Sequence, residues 1–195
     1  MNENSSYIYS ELVKIPFNLF NIISDYIELN SSVKVAIVGG YIRDLLINKI
    51  HRNTFFKPLD IDIVTEGSSI DLAKFIKKNI SNVELCLIKE FEIYDTVELN
   101  INNLKIDIAS ARIENYEAPG FNPIVKNASI EEDLKRRDFT INAIAFEFSK
   151  QKIYDFFDGI KHIQAKELHL LHENSILDDP SRLIRCARYA SRLGF

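Results

Sequence analysis

An uninterrupted apolar run near the start of the chain leads directly into two glycines. Val35–Val38 is followed by Gly39 and Gly40, and Tyr-Ile-Arg-Asp-Leu-Leu comes next. This order predicts a buried strand, a tight turn and a helix. Glycines at such a turn let a phosphate approach the backbone, and the free N–H groups at a helix start attract an anion. The turn is therefore a candidate phosphate site.

A second run, Leu59–Thr65, begins with alternating apolar and acidic residues. In a strand, Ile61 and Ile63 point to one face, and Asp60 and Asp62 lie side by side on the other. Neighbouring carboxylates repel each other unless a cation lies between them, and Mg²⁺ is a hard cation that prefers oxygen ligands. Each motif alone is usually an ordinary turn or a solvated strand face. Together they favour a metal-dependent nucleotide site, while Asp-x-Asp alone also fits a nucleotide-sugar glycosyltransferase.

A third alternating run contains another candidate carboxylate. Leu104–Ala109 places Asp107 and Lys105 on one face of a predicted strand. If this strand lies beside Asp60 and Asp62, Asp107 becomes a third carboxylate at the metal site. The pattern fits a lone aspartate on a polar strand face equally well.

The same periodicities predict helices and strands along the rest of the chain. A helix that covers the sheet is expected over Glu11–Leu29, with a start or a break at Pro16. Ser129 and Glu132 have the spacing of a capping box. Two further helices are expected, over Gly40–Asn48 and Gly67–Asn79. Strands are expected over Val83–Ile88 and Lys152–Phe157, with two more strands within Glu92–Ala109, and a loop is expected over Ile113–Pro123.

The C-terminal segment predicts a helix with a basic face. An aspartate N-cap followed by Pro180 is typical of a helix start. On the helix that follows, Arg185, Arg188 and Arg192 share one face. A solvated basic face is the commoner explanation, and contact with a triphosphate, which guanidinium groups fit well, is the alternative.

Composition adds limits to this picture. The chain has 195 residues, 46% hydrophobic and 27% charged, with a net charge of −4, which is typical of a globular protein without a global basic field. Neither a signal peptide nor a transmembrane run is visible, and the two distant cysteines indicate reduced thiols, so a cytoplasmic protein is expected. The histidines show no ligand spacing with cysteine. The turn at Asp155–Gly159 is expected to separate a sheet domain, residues 1–160, from a helical segment, residues 161–195.

Several motifs, taken in order, resemble one known family. From Val35 onward the chain is similar to class II tRNA nucleotidyltransferases, the CCA-adding enzymes, and to bacterial poly(A) polymerases. The run from Arg136 to Ala143 is the most specific part of this resemblance. The motifs are Gly39-Gly40-x-x-Arg43-Asp44-x-Leu46, Asp60-x-Asp62, Arg136-Arg137-Asp138-Phe139-Thr140-Ile141-Asn142-Ala143, Asp155-x-x-x-Gly159 and Asp178-Asp179-Pro180-x-Arg182.

The resemblance implies a fold and a set of roles. The fold is α+β, a polymerase-β-like nucleotidyltransferase head with a mixed, mostly antiparallel sheet flanked by helices, followed by the start of a helical neck. Asp60 and Asp62 would bind two Mg²⁺ ions and activate an RNA 3′-hydroxyl by two-metal catalysis, supported by Asp107. The implied nucleotide-binding residues are Gly39, Gly40 and Arg43 at the triphosphate, Arg137 and Asp138 at the ribose 2′-hydroxyl, Asn142 in the same motif, Asp179 and Arg182 at the base edge, and Arg185 and Arg188 at phosphates.

The implied activity is template-independent addition of C, A or both to tRNA 3′ ends from CTP and ATP, with release of pyrophosphate. A poly(A) polymerase is the alternative, and a catalytically silent nucleotide-binding module is a third reading. The body and tail domains that grip tRNA in the family are expected beyond Phe195. The chain departs from the family pattern at His162-Ile163, where Asp-Leu is common, and within Glu92–Leu99, where relatives often have Phe-Gly-Thr in a loop linked to the switch from C to A addition.

Overall fold

The computed structural model describes residues 2–52, 60–81, 85–91, 94–115, 117, 121 and 123–195. Within these ranges, seven strands form one sheet and two form a separate hairpin. The helices are α1 (Glu3–Leu12), α2 (Leu19–Leu29), α3 (Gly40–Ile50), α4 (Ser69–Asn79), α5 (Ile130–Lys135), α6 (Gly159–Ala165), α7 (Ser175–Asp178) and α8 (Ser181–Leu193). The strands are β1 (Val35–Val38), β2 (Asp60–Thr65), β3 (Leu85–Phe91), β4 (Thr96–Ile101), β5 (Leu104–Ser110), β6 (Arg112–Asn115), β7 (Ile124–Asn127), β8 (Ile144–Glu147) and β9 (Lys152–Asp155).

The large sheet has the strand order β3-β4-β5-β2-β1-β8-β9. Strands β2 and β5 run parallel, and the other neighbouring pairs are antiparallel. The predicted mixed, mostly antiparallel sheet flanked by helices is confirmed. None of the helices in the described ranges combines the length and apolar character that crossing a membrane requires.

The two faces of the sheet are covered unequally. One face carries large side chains such as Ile37, Ile61 and Ile63, which are at most 1% exposed and belong to the main core with α1 to α4. The opposite face carries smaller residues, among them Ala36 and Val38, which pack with α5. Asp62 is paired with Val38 across β1 and β2, so its side chain belongs to this second face. The thinner cover of the second face leaves room for a site at the end of β1.

The N-terminal region differs from the prediction of one helix over Glu11–Leu29. The chain instead forms α1, a 3₁₀ turn over Pro16–Asn18 and then α2, so the expected break at Pro16 is present but α1 begins eight residues earlier. The side chain of Asn2 caps α1 by accepting a hydrogen bond from the Ser5 N–H at 2.8 Å. The buried positions of α1 are too few and too mixed to give a clear periodic signal.

Two further boundaries were placed wrongly. The predicted loop over Ile113–Pro123 begins inside β6, which pairs with β7 to form the hairpin. These strands have only four residues each and no fully buried side chain, so they lack the alternation that identifies a strand. The last sheet strand ends at Asp155 rather than Phe157. The start of the strand predicted over Val83–Ile88 lies outside the described residues.

Asp155 ends β9 because its carboxylate caps the next helix. Its oxygens accept hydrogen bonds from the N–H groups of Gly159 at 2.7 Å and Ile160 at 2.8 Å. A Cβ at Gly159 would meet the carbonyl oxygen of Thr140 and lie 2.9 Å from Ile144 Cγ1, so only glycine allows this close approach. Helix α6 is thereby pressed onto the Arg136–Ala143 motif. The domain boundary expected at residue 160 falls within α6 and stays a prediction.

Candidate active site

The three candidate aspartates lie on adjacent parallel strands. In the register of β2 and β5, Asp62 is opposite Asp107 and Asp60 is opposite Lys105. The sequence left open whether the strand that carries Asp107 lies beside the strand that carries Asp60 and Asp62. The structure shows that it does. Asp60 is exposed, whereas Asp62 and Asp107 are half-buried.

Burial and two neighbouring carboxylates make the charged form of Asp62 unfavourable. Burial raises the pKa of Asp62; the charges of Asp107 and Asp60 raise it further, and Arg137 opposes them. Lys105 Nζ is 2.8 Å from Asp107 Oδ2. Asp107 Oδ1 is buried and has no hydrogen-bond partner among the described residues.

The double-glycine turn lies directly over Asp62. Gly39 has φ 71° and ψ −138°, a backbone conformation open only to glycine, and α3 begins at Gly40. A Cβ at Gly39 would lie 3.0 Å from Asp62 Oδ2 and 3.3 Å from an Arg137 terminal nitrogen. The turn thus brings a helix start, a carboxylate and a guanidinium to one point.

We expect Gly39→Ala to destabilise the protein and Gly40→Ala to have little effect on stability. The first change forces a strained backbone and crowds Asp62, which should lower the free energy of unfolding by about 1–3 kcal/mol. Gly40 has an ordinary φ, and a Cβ there would be 3.5 Å from the Arg43 guanidinium, a normal contact. Urea unfolding of both variants measures the difference. Equal losses in the two variants would contradict the strained turn.

The Arg136–Ala143 motif places three charged residues, Arg136, Arg137 and Asp138, in the same cavity. Arg137 donates to Asp133 Oδ2 at 3.0 Å from α5. Both oxygens of Asp138 are occupied: Oδ1 accepts from Asn142 Nδ2 at 2.9 Å and from the Phe139 N–H at 2.8 Å. Oδ2 forms an ion pair with Arg185 of α8 at 2.7 Å. The motif is therefore joined to α8 through Asp138.

Arg43 is buried and fixed by its neighbours. It is 2% exposed, donates to Asp44 at 2.7 Å and to Asn142 at 2.7 Å, and lies over the Tyr189 ring at 5.0 Å. The other oxygen of Asp44 accepts from Arg192 at 2.9 Å. Helix α8 is thus bound to the head by a second ion pair.

Arg182 is also buried, at 6% exposure. It donates to the Ser175 hydroxyl and, at 2.8 Å, to the Arg136 carbonyl. Its Nε is 3.8 Å from Asp179 Oδ2. The Asp179 carboxylate accepts from the Ser181 N–H at 3.0 Å, although α8 begins at Ser181 with Pro180, and not the predicted aspartate, at the N-cap position. Asp179 and Arg182 are therefore held as a neighbouring acceptor and donor.

These residues surround one cavity of about 470 Å³, a volume typical of small-molecule sites. All the predicted site residues line it except Arg188, which is exposed on α8 outside the lining. The predicted residues in the lining are Gly39, Gly40, Arg43, Asp60, Asp62, Asp107, Arg137, Asp138, Asn142, Asp179, Arg182 and Arg185.

Six lining residues were not among the predicted site residues: Tyr41, Asp44, Glu114, Arg136, Tyr189 and Arg192. Asp44 and Arg136 stand inside motifs that the sequence already singled out. Tyr189 follows Arg185 by one helical turn, a spacing that places both on one face. Glu114 lies on a strand that was predicted as a loop, and the sequence analysis gave it no role in the site.

The carboxylates fit a divalent cation. The buried, unpartnered Asp107 oxygen and the raised pKa of Asp62 are both features that a bound cation would satisfy. A second group of possible ligands, His162, Glu167 and His169, has its ligand atoms within 4.8 Å of one another. Its imidazole rings are stacked, with centroids 3.9 Å apart and planes 17° apart. Since a ring nitrogen binds a metal in the plane of its own ring, stacked rings do not share one ion.

Comparison with known proteins identifies the family of the chain. A family model described as the poly A polymerase head domain matches residues 35–169, and the chain belongs to this family. An A-adding tRNA nucleotidyltransferase of Aquifex aeolicus is 38% identical over 167 residues, which are 84% of this chain and 19% of that protein.

Solved structures show the same fold. A CCA-adding enzyme in its apo form II superimposes with a TM-score of 0.76 and 34% identity, covering 94% of this chain and 42% of that one. A tRNA nucleotidyltransferase complexed with a primer tRNA and an incoming ATP analog gives a TM-score of 0.70 and 32% identity, covering 91% of this chain and 45% of that one. The chain spans less than half the length of each of these relatives. Membership in this family removes the reason to consider a nucleotide-sugar glycosyltransferase.

Proposed function

We propose that the chain carries the catalytic site of an RNA nucleotidyltransferase that adds C, A or both to tRNA 3′ ends from CTP and ATP. The observation that carries this proposal is the convergence of Asp60, Asp62 and Asp107 with the Gly39 turn in one cavity. The relatives named above are A-adding and CCA-adding enzymes, and one is a complex with primer tRNA and an ATP analog, which supports the substrate class.

Asp60 and Asp62 would hold Mg²⁺, with Asp107 in support. Two such ions would supply the chemistry of two-metal phosphoryl transfer: one would lower the pKa of the attacking 3′-hydroxyl, and the other would neutralise charge on the pyrophosphate leaving group. The N–H groups at the start of α3 face the same point and suit the triphosphate. Arg137 adds a guanidinium at the Gly39 turn.

The ribose and the base would meet residues that are already positioned. Arg137 and Asp138 would recognise the ribose 2′-hydroxyl, with Asp138 as its acceptor. Since its oxygens are occupied by protein donors, the hydroxyl takes the place of an Arg185 N–H, which frees Arg185 to turn to a phosphate. Asp179 and Arg182 offer an acceptor and a donor to the base edge.

The test is incorporation of labelled CTP or ATP in the presence of Mg²⁺. One set of reactions contains tRNA that ends before CCA, and a second contains generic RNA. Addition confined to tRNA supports the proposal. Long A tracts on either RNA would instead identify a poly(A) polymerase, which the family description favours as the alternative. No Mg²⁺-dependent incorporation with either RNA would contradict both, and nucleotide binding without incorporation would identify a silent module.

A further inference from the structure

A buried aspartate outside the predicted site residues lies between the two arginines of the motif. Asp133 on α5 is 0% exposed. Its Oδ1 accepts from Arg136 Nε at 2.9 Å, from a terminal nitrogen of Arg136 at 2.7 Å and from the Arg112 N–H at 3.3 Å. Its Oδ2 accepts from Arg137 at 3.0 Å. Burial alone would raise the pKa of Asp133, but Arg137 and Arg136 hold it below its usual value, so the group is an anion.

Arg137 lies between this anion and the carboxylates of the cavity. One terminal nitrogen of Arg137 donates to Asp133. The other lies 3.3 Å from the position that a Cβ on Gly39 would occupy, and that position is 3.0 Å from Asp62 Oδ2. Among the ion pairs of the described residues, Arg137 is joined to Asp133 and not to Asp62. Its Nε is buried without a hydrogen-bond partner in the same part of the chain. The guanidinium is therefore paired with one carboxylate, Asp133, and lies near a second, Asp62, with which it forms no ion pair.

We infer that Asp133 is a positioning residue that holds Arg137 on the α5 side of the Gly39 turn and prevents it from pairing with Asp62. Asp62 then stays available to a divalent cation, while Arg137 still presents one nitrogen to the phosphate site. The inference rests on the proposed function, because it takes Asp62 as a cation ligand. It explains why a full negative charge is buried beside two arginines that face an anionic substrate.

The test measures Mn²⁺ binding by electron paramagnetic resonance of the free ion, without RNA or turnover. Mn²⁺ takes the same oxygen ligands as Mg²⁺. In Asp133→Asn the released guanidinium of Arg137 turns to Asp62, and we expect Mn²⁺ affinity to fall about tenfold, the lower range for loss of a supporting residue. Arg137→Gln should bind Mn²⁺ at least as tightly as the unchanged chain. The double variant Asp133→Asn/Arg137→Gln should recover the affinity, because the competing cation is gone.

Recovery in the double variant separates positioning from a merely structural role. Loss of a buried ion-pair partner also lowers stability, so each variant is checked by thermal unfolding. Asp133→Glu keeps the charge and should restore most of the Mn²⁺ affinity. Glu131→Gln on the same helix, which removes an exposed pair with Lys135, is the matched control and should leave Mn²⁺ binding unchanged.

Each outcome decides the inference. Unchanged affinity in Asp133→Asn, or a double variant that stays weak, overturns it and leaves the proposed function standing. Absence of Mn²⁺ binding in the unchanged chain overturns both the inference and the metal assignment. If Asp133→Asn does not fold, the Arg137→Gln variant decides alone, and Mn²⁺ binding weaker than in the unchanged chain overturns the inference.

Discussion

Asp62→Asn is expected to abolish nucleotide incorporation, with turnover at least about 1000-fold lower, because the central cation ligand is lost from a site where charge stabilisation supplies most of the catalysis. The fold should remain, since Asn has the shape of Asp and the position is only half-buried. Single-turnover incorporation of labelled nucleotide measures the effect. Asp25→Asn on the exposed side of α2 is the control, and substantial turnover by Asp62→Asn would remove the metal assignment.

The same variant should be more stable than the unchanged chain in metal-free buffer at neutral pH. The raised pKa of Asp62 means that its ionised form is less favourable in the folded state than in the unfolded one. This free-energy cost is fully present at pH values above the raised pKa of the folded state. It vanishes as the pH falls below the pKa that Asp62 has in the unfolded chain. The stability gain of Asp62→Asn should therefore be seen by urea unfolding at pH 7 and disappear in acid. A gain in the free energy of unfolding that is equal at all pH values would contradict the raised pKa of Asp62.

Asp138→Asn is expected to lower the preference for ATP over dATP by about 100-fold or more, since a site built to bind a hydroxyl discriminates strongly against its absence. The amide nitrogen that replaces Oδ2 cannot accept a hydrogen bond from the 2′-hydroxyl or from Arg185, because an NH₂ group only donates. The ratio of kcat/KM for ATP and dATP is the measurement.

Arg185→Ala is the matched variant for this prediction, because it breaks the same ion pair and keeps the Asp138 carboxylate. It should retain the preference for ATP, although its KM for both nucleotides should rise if Arg185 turns to a phosphate. Equal loss of discrimination in the two variants would show that the ion pair, and not the Asp138 acceptor, reads the ribose.

The residues at the centre of the proposed site could be grouped from the sequence for a physical reason. Alternation in Asp60–Ile63 places both aspartates on one strand face wherever the strand lies, and the glycine pair can only mark a turn at the end of an apolar run. Which strand lies beside β2 is a matter of topology, so the position of Asp107 depended on the structure.

The remainder depended on contacts between distant parts of the chain. Helical periodicity placed Arg185, Arg188 and Arg192 on one face, but packing on the head decides that Arg185 and Arg192 line the cavity and that Arg188 does not. Asp133 stands three residues from Arg136 in an unremarkable acidic helix start, and only its burial reveals that it binds both arginines. Strand β6 has only four residues and no periodic pattern, which is why Glu114 was not predicted as a site residue.

The most direct test of the account is a crystal structure of the chain with Mn²⁺ and a non-hydrolysable ATP analogue, using anomalous scattering to locate the ion. We expect a Mn²⁺ peak about 2.1 Å from carboxylate oxygens of Asp60 and Asp62, with the triphosphate against Gly39 and Gly40. A peak elsewhere, for example at His162 and Glu167, with Asp60 and Asp62 free of metal, would contradict the account.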